Sequence, residues 1–541
     1  SREETMKTNE RGKSLLYLAL PALLLAVCVL QQPAQAQKTT TGIPCSEIAS
    51  RHLLMQDNLG AGLTLIQCGV VKGGTPGADR GLGEELPPQP PNILVSNRTC
   101  TSGSDCTKSE SMVAASTQAG NHTIVVNYND DYGCCSVGIS GTSFSTDGGS
   151  TFTEIIPPPF NTGHGFNVGD PLMIYNQRLG LFFGGDLAEG CGGGGLGIGV
   201  WSSPDGQHWT AAGCPSTNNN DDRPSMWVDN NPFSAKYGRM YVSYNNFNVS
   251  NGDLEVVHSD DGQTWSSPVR VASGSTFVRD VQLTGTPPGP PPPNALYTST
   301  VFLAGMDEGG GGFSTRQNLM YRSTDGGNTW TSITVGSRFS PPGDATCGYF
   351  AQMNPIWRHM GWGQPAAGPN GVVHYDYAAK GALSTGDIMY TRSTDNGSTW
   401  STPIVLNDPE TNRYQSHWMP SLSVNYSPGA FTQPMDVTAS WYDRRQATSA
   451  CNSVGDAGCN YQRYGVQSSD NGQTWGSNVE ISDVIINQPA QDDPNLVSCY
   501  AGDYDYSTAL NSNAFVTWTD GRVSVGGIQV QNVEFASQPE P

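Results

Sequence analysis

Basic side chains are scarce. The 541-residue chain has 27 Lys and Arg against 48 Asp and Glu, a formal net charge of −21. Nucleic-acid binding rests on clustered positive charge, so this balance argues against it. Charged residues of either sign are only 14% of the chain, while Gly (65) and Pro (37) make up about a fifth. A coiled coil would need about half of its residues from Ala, Glu, Lys, Leu and Arg, and is ruled out. No apolar run after residue 30 is long enough to span a bilayer as a helix. Paired Cys-x-x-Cys spacing is missing and the eight His are scattered, which argues against structural zinc. No Gly-x-Ser-x-Gly elbow is present, which argues against a serine esterase. Aromatics, by contrast, are plentiful. The 12 Trp, 21 Tyr and 16 Phe can build a large core, unlike a disordered chain. At this length the expectation is several domains or one repeat array.

The N-terminus reads as a secretion signal. Arg11 and Lys13 flank an apolar run from Leu15 to Leu30, and Ala34-Gln35-Ala36 gives a small-x-small cleavage site. Residues 1–36 are therefore expected to be removed, with Met6 as a start codon position, leaving no transmembrane segment. A secreted location, extracellular or periplasmic, follows. Removal of Cys28 leaves twelve of the 13 cysteines, an even count that suits disulfides. Short loops suggest Cys45–Cys68, Cys100–Cys106, Cys191–Cys214 and Cys451–Cys459. Cys134, Cys135, Cys347 and Cys499 stay unassigned. Residues 37–91 form an extension with few strand signals, either a small disulfide-pinned cap or a loose tail. It ends in the stiff linker Pro87-Pro-Gln-Pro-Pro91.

Internal repetition dominates the rest. Six segments share the pattern Ser-x-Asp-x-Gly-x-Thr-Trp. Ser323 to Trp330, Ser393 to Trp400 and Ser468 to Trp475 match fully, and Ser145 to Phe152 ends in Phe. His258 to Trp265 keeps Asp260 but has His at the Ser position. Ser202 to Trp209 has Pro204 at the Asp position and Asp205 one place later. The physics is that of a turn. The Asp side chain accepts backbone N–H groups, the Gly supplies a positive φ, and the aromatic anchors the hairpin. Strand-like runs flank every copy, such as Leu319-Met-Tyr before and Pro403-Ile-Val-Leu after.

Six such turns in register resemble the Asp boxes, or neuraminidase repeats, of sialidase-like β-propellers. The resemblance covers residues 92–535, with 536–541 as a tail. It implies an all-β propeller of four-stranded blades, each box lying between the third and fourth strands. It also implies that Asp147, Asp260, Asp325, Asp395 and Asp470 are structural and remote from any active site. The box glycines at 149, 206, 262, 327, 397 and 472 recur about every 65 residues. A repetitive region of about 444 residues then holds about seven blades, with six as the alternative. Phe515-Val-Thr-Trp518-Thr-Asp520-Gly-Arg522 matches Val437-Thr-Ala-Ser-Trp441-Tyr-Asp443-Arg-Arg445, so it opens one more blade without a box. Its outer strand would be Asn92 to Asn97, closing the ring from the N-terminus and removing an exposed edge. In these two matching motifs Asp and Arg are expected to pair between blades.

In a propeller the innermost strands start at the channel mouth, where ligand sites gather. Those starts fall near Glu110, Asp170, Asp222-Arg223, Arg279-Asp280, Gln352, His417 and Asp503-Tyr504. A ring of carboxylates with arginines could grip a sugar, hold calcium through hard oxygens, or supply acid and base groups. Asp170, Asp222, Asp280, Asp503 and Tyr504 are the catalytic candidates. Arg223, Arg279, Glu110 and His417 are the substrate-binding candidates. No cofactor is required, and calcium is a candidate ion for the ring.

Sialidases bind the sugar carboxylate with three arginines, one from a Phe/Tyr-Arg-Ile-Pro motif, and use a Tyr–Glu pair and an Asp acid/base. The planar guanidinium suits a carboxylate. Here the Arg-Ile-Pro motif is missing: Arg98 is followed by Thr-Cys, and Arg223-Pro224 belongs to the third blade. Arg279, Arg358, Arg445 and Arg522 could supply a cluster, and Tyr504 a nucleophile. The expected function is a secreted exo-glycosidase acting on extracellular glycans or glycoproteins. The alternative is a non-catalytic propeller that binds them. Three convergent arginines with a Tyr–Glu pair favour the enzyme; a carboxylate ring around a metal favours binding. The acidic net charge repels polyanions, which argues against a heavily sialylated substrate.

Overall fold

The computed structural model describes residues 41–75, 84–85, 91–96, 106–118, 122–131, 138–156, 158–249, 251–274, 276–286, 297–354, 356–425, 435–488, 490–525 and 528–540. The expected signal segment, Cys100, Cys134 and Cys135 lie outside them. The chain is a seven-bladed propeller of antiparallel four-stranded blades. The inner strands of blades one to four are Lys108–Ala115, Leu172–Asn176, Asp221–Val228 and Val278–Thr286. Those of blades five to seven are Pro365–Ala367, His417–Asn425 and Thr508–Leu510. Blade five therefore starts later than Gln352. Residues 345–352 instead form an inserted hairpin, Ala345–Cys347 with Phe350–Gln352.

Ring closure follows the expected course. Ile93–Leu94 is the outer strand of blade seven, with Ile93 opposite Phe535 and Leu94 opposite Glu534. Val95, fully buried, donates its N–H to Val533 O at 2.9 Å. The last strand, Ile528–Pro539, runs past the expected boundary at 535. Between blades seven and one, Val95, Val113, Ile124, Val126, Phe515, Val533 and Phe535 form one apolar cluster.

Every Ser-x-Asp-x-Gly turn joins the third strand of a blade to its fourth. In blade four, Asp325 Oδ1 accepts the N–H groups of Asn328 and Thr329 at 3.0 Å each, and Oδ2 accepts Thr329 Oγ1 at 2.6 Å. Ser323 Oγ donates to Asp325 at 2.8 Å and accepts Gly327 N–H at 2.9 Å. Gly327 has φ +93°, and a Cβ there would meet the Tyr241 ring at 2.9 Å. Asp147, Asp395 and Asp470 repeat the pattern on Thr151, Thr399 and Thr474. Blade three differs from expectation. Its turn is one residue shorter, so Ser259 and Asp261 take the roles read for His258 and Asp260. Asp260 instead holds Arg239 through two 2.8 Å bonds. Blade two is shortened in the same way and uses Ser203 with Asp205. Asp325→Ala removes four accepted bonds and should lower stability by about 1–2 kcal/mol. Urea unfolding checks this; an unchanged midpoint would show the turn needs no carboxylate.

The two Trp-x-Asp-x-Arg motifs superpose in chemistry. Trp441 Nε1 donates to Asp443 at 3.1 Å and Trp518 Nε1 to Asp520 at 3.0 Å. Arg445 and Arg522 pair with the same carboxylates at 2.7 and 2.8 Å. The Asp–Arg pair is thus internal to each motif. The inter-blade link is the arginine's second contact, to Asp408 and Asp483 of the preceding blade's outer segment.

Residues 41–75 fold as a cap over one end of the channel. The Cys45–Cys68 disulfide closes it, and Leu53, Ala61 and Leu65 pack with Ile43, Ile48 and Val71 as its own small core. Its helix Leu59–Gln67 is started by Asn58, whose side chain accepts Ala61 N–H at 2.8 Å. Cys191–Cys214 and Cys451–Cys459 form as expected, and Cys347 pairs with Cys499. Cys106 is also disulfide-bonded. Among the described residues no helix is long and apolar enough to cross a membrane. Deeper in the channel, inner strands of all seven blades line a cavity of about 410 Å³ that includes Met112, Met226, Leu422 and Leu510.

Candidate functional site

Beneath the cap, several inner strands break regularity at the same place. Glu110, Asp170, Arg223 and Met419 all have left-handed backbone, φ +52°, +61°, +51° and +49°. In blades one, three and six this residue sits in a β-bulge, between Ser109 and Ser111, Asp222 and Ser225, and Trp418 and Ser421. A bulge re-aims one side chain off the sheet face. Proline follows Asp170, Arg223 and Met419. Non-glycine residues in this region are strained and persist where surroundings hold them. The polar three of the four meet at the channel mouth.

Three arginines converge there, and all are buried. Arg223 comes from the blade-three bulge and Arg279 from the start of blade four. Arg358 comes from the segment between the inserted hairpin and blade five. Trp357 and Arg358 both donate backbone N–H to Cys499 O at 2.9 Å, and the Cys347–Cys499 disulfide ties that anchor to the hairpin. The three guanidiniums gather on one residue of the cap. Asp57 takes Arg223 Nη1 on Oδ2 at 3.0 Å and Arg279 Nη1 on Oδ1 at 2.9 Å. Arg358 Nη2 donates to the backbone carbonyl of Asp57, and Arg279 Nη2 to that of Met55. Asp222 completes the clamp by accepting the N–H groups of Asp57 and Asn58 at 3.1 and 3.2 Å.

Around them the ring supplies anions and aromatic faces. Glu308 binds Arg279 Nε at 2.9 Å, and Asp503 binds Arg358 at 2.6–3.1 Å. The Arg223 guanidinium lies 4.1 Å from the Tyr504 ring centre and 4.4 Å from that of Trp362. Glu110 accepts Asp503 N–H at 2.9 Å and the amide of Asn129. Tyr504 stacks on Tyr506 at 4.8 Å, and its hydroxyl is buried without a hydrogen-bond partner.

Electrostatics divide these groups. Burial would raise the Asp57 carboxyl, but Arg279 and Arg223 outweigh it and hold it at about 2. Burial, then the Asp57 charge, push Asp170 well above the usual range. Burial, then Asp503 and Asp170, do the same to Glu110. The mouth thus contains carboxylic acids able to donate a proton beside an ionised carboxylate.

The structure brings together Glu110, Asp170, Asp222, Arg223, Arg279, Asp503 and Tyr504. It separates two other candidates. Asp280 accepts Ser225 Oγ at 3.0 Å, and burial raises it to about 7; among the described residues it bonds none of the arginines. His417 is a correction: its ring lies 3.6 Å from Glu410 and 3.4 Å from Asp443, in an ion cluster between blades five and six. Sequence reasoning missed Asp57, Glu308, Trp362 and Tyr506. Asp57 lies in a segment with no strand pattern, and only the three-dimensional fold brings it to the ring.

Burial lowers His417, but Asp443 and Glu410 outweigh it and raise it to about 9. A raised histidine contributes stability that is complete below the unfolded value of 6.5 and lost as pH rises through 9. The loss should be on the order of 3 kcal/mol. Unfolding midpoints from pH 6 to 10 check this: His417→Gln should flatten the decline, and an equally steep decline in the variant would remove His417 as its source.

Calcium fits poorly. Carboxylate oxygens of Asp57, Asp170 and Asp222 lie within 4.8 Å of one another, but a cation there would face Arg223 and Arg279. The Asp387–Glu410–His417 group contains the cationic imidazole, and in the His164–Cys191–Cys214 group both cysteines are in a disulfide.

No protein-family description matches the chain, and no curated protein does. Solved structures similar to it include an α-L-arabinofuranosidase of Fusarium graminearum, at 13% identity and TM-score 0.41, over 73% of this chain and 98% of that one. An α-L-arabinanase of Penicillium chrysogenum aligns at 10% identity and TM-score 0.39, over 66% and 94%. A polysaccharide lyase, an ulvan lyase, aligns at 12% identity and TM-score 0.43, over 82% and 96%. These neighbours are carbohydrate-active enzymes by name. At such identities and scores the likeness carries no argument about activity, and the seven-bladed architecture rests on the strand pairing itself.

Proposed function

We propose that this chain is a secreted, carbohydrate-directed propeller of sialidase-like chemistry, an exo-acting glycosidase for a terminal sugar that bears a carboxylate. One observation carries the reading: Arg223, Arg279 and Arg358, from three parts of the ring, converge on a single carboxylate-bearing residue. Guanidinium is the geometric match for a carboxylate, and burial strengthens the grip. In this reading the arginines orient the sugar, Tyr504 on the face of Arg223 is the nucleophile candidate, and Asp170 and Glu110 supply the proton.

A second reading, a binding propeller without catalysis, is favoured by one feature. Tyr504 lacks a hydrogen-bonded carboxylate to activate it, and burial, followed by the charges of Asp170 and Glu110, pushes its hydroxyl further up. Mass spectrometry of a glycan pool with terminal acidic and neutral sugars separates the two. Wild-type protein and Asp57→Ala are incubated with it side by side, because Asp57 fills the arginine cluster. Release of the acidic sugar by either, abolished by Tyr504→Phe, is expected. An unchanged pool with both would overturn hydrolysis and leave the binding reading.

A further inference from the structure

The ring carboxylates pair directly with two of the three arginines. Arg279 has Glu308, which binds Nε at 2.9 Å and Nη2 at 3.3 Å. Arg358 has Asp503, also in two-point contact. Arg223 is different. Among the described residues its ion pair is with Asp57 alone, and its remaining terminal nitrogen donates to Tyr506 Oη at 2.9 Å. A buried guanidinium left unpaired is strongly unfavourable. The ring carboxylates Asp170 and Glu110 feel the Arg223 charge without an ion pair to it, and the anion in contact with Arg223 is Asp57 of the cap.

The cap is built as a separate unit. It has its own disulfide, Cys45–Cys68, and its own apolar cluster around Leu53, Ala61 and Leu65. Its seams with the ring are the Asp57 clamp, Gln56 Nε2 to Asn220 Oδ1 at 3.0 Å, Leu59 among Leu496, Val497 and Tyr500, and backbone bonds such as Gly74 N–H to Asp493 O at 2.9 Å and Ser498 N–H to Lys72 O at 3.0 Å. Gln56, Asp57 and Asn58 reach inward as a finger ahead of the cap helix.

We propose that the cap is a displaceable plug holding the site latent, with the Asp57 carboxylate standing where the carboxylate of an acidic sugar binds. This rests on the acidic-sugar reading given above and adds its regulation. A tethered side chain competes at an effective concentration on the order of millimolar. An external ligand then binds only the uncapped fraction, and its apparent affinity falls by that fraction. Acid does not serve as the release, because Arg279 and Arg223 hold Asp57 ionised down to about pH 2. Release comes from a competing carboxylate or from loosening of the cap.

Isothermal titration calorimetry on the full chain tests this with glucuronate, N-acetylneuraminate and neutral glucose. Three proteins are compared: wild type, Asp57→Ala, and Cys45→Ser with Cys68→Ser, which loosens the cap and keeps Asp57. Asp57→Ala is expected to bind at least one of the acids at least about tenfold tighter than wild type, and glucose no better. The cysteine double variant should fall between them. Folded variants that gain no acid affinity would overturn the plug. Wild type binding as tightly as Asp57→Ala would also overturn it, while leaving the glycosidase reading intact. Gained binding with no sugar released from any glycan would support the plug and sink the glycosidase. If Asp57→Ala does not fold, the double variant decides by the same gain or absence of gain.

Discussion

Asp57→Ala is expected to destabilise the folded chain by about 3–5 kcal/mol, and free acetate is expected to restore part of the loss. Truncating one partner of a buried ion pair leaves the other uncompensated, and the penalty is that large. Arg223 is the side chain left exposed to it, since Arg279 and Arg358 keep Glu308 and Asp503. Acetate can enter the space vacated by the side chain. At ten times its dissociation constant it would return about 1.4 kcal/mol. Acetamide, equal in shape and uncharged, should return nothing. Leu59→Ala is the control: it loosens the same cap by opening an apolar cavity, and no anion should rescue it. Thermal unfolding with and without each additive reads all of these. Acetate rescue of Leu59→Ala, or its failure on folded Asp57→Ala, would mean that cap adhesion and not charge is at stake.

Removing the Cys347–Cys499 bridge is the second large effect. The bridge spans 152 residues, and a loop that long is worth about 4–5 kcal/mol in the chain-entropy view. Cys451–Cys459 spans 8, and its removal should cost about 2–3 kcal/mol. The two also differ in function. Cys499 O accepts the backbone N–H groups of Trp357 and Arg358, so the long bridge fixes the loop that aims the third arginine. In the Asp57→Ala background, Cys347→Ser with Cys499→Ser should weaken acidic-sugar affinity as well as stability. Cys451→Ser with Cys459→Ser should leave affinity unchanged. Equal affinities in both double variants would show that Arg358 is positioned without the bridge.

The architecture was legible because its signal is local and repeated. Each Ser-x-Asp-x-Gly turn is specified within eight residues, and six copies fix blade length and count. Ile93–Leu94 was identifiable as the closing strand because the blade opened by Phe515 to Arg522 lacked an outer one. The shortened turn at Ser259–Asp261 misled the reading toward Asp260, since two adjacent aspartates fit the pattern almost equally and one deleted residue decides between them. The site was legible only in part. Glu110, Asp170 and Arg223 are polar residues at strand starts, and left-handed backbone turns them inward. His417 occupies a similar place in sequence, yet Glu410 and Asp443 capture it. Arg358 could not be placed because a hairpin displaces the start of blade five from Gln352 to Pro365. Asp57 meets its partners across 165 to 301 residues of chain, and no periodicity announces such a contact.

The central claim is that the channel mouth is a carboxylate site which the chain fills with its own Asp57. A crystal structure of Asp57→Ala grown with an acidic monosaccharide tests it most directly. The expected result is a sugar carboxylate within about 3 Å of both Arg223 and Arg279, in charge-assisted hydrogen bonds, with Glu308 and Asp503 still holding Arg279 and Arg358. Arg223 turned onto a ring carboxylate, with no sugar at the mouth, would contradict it.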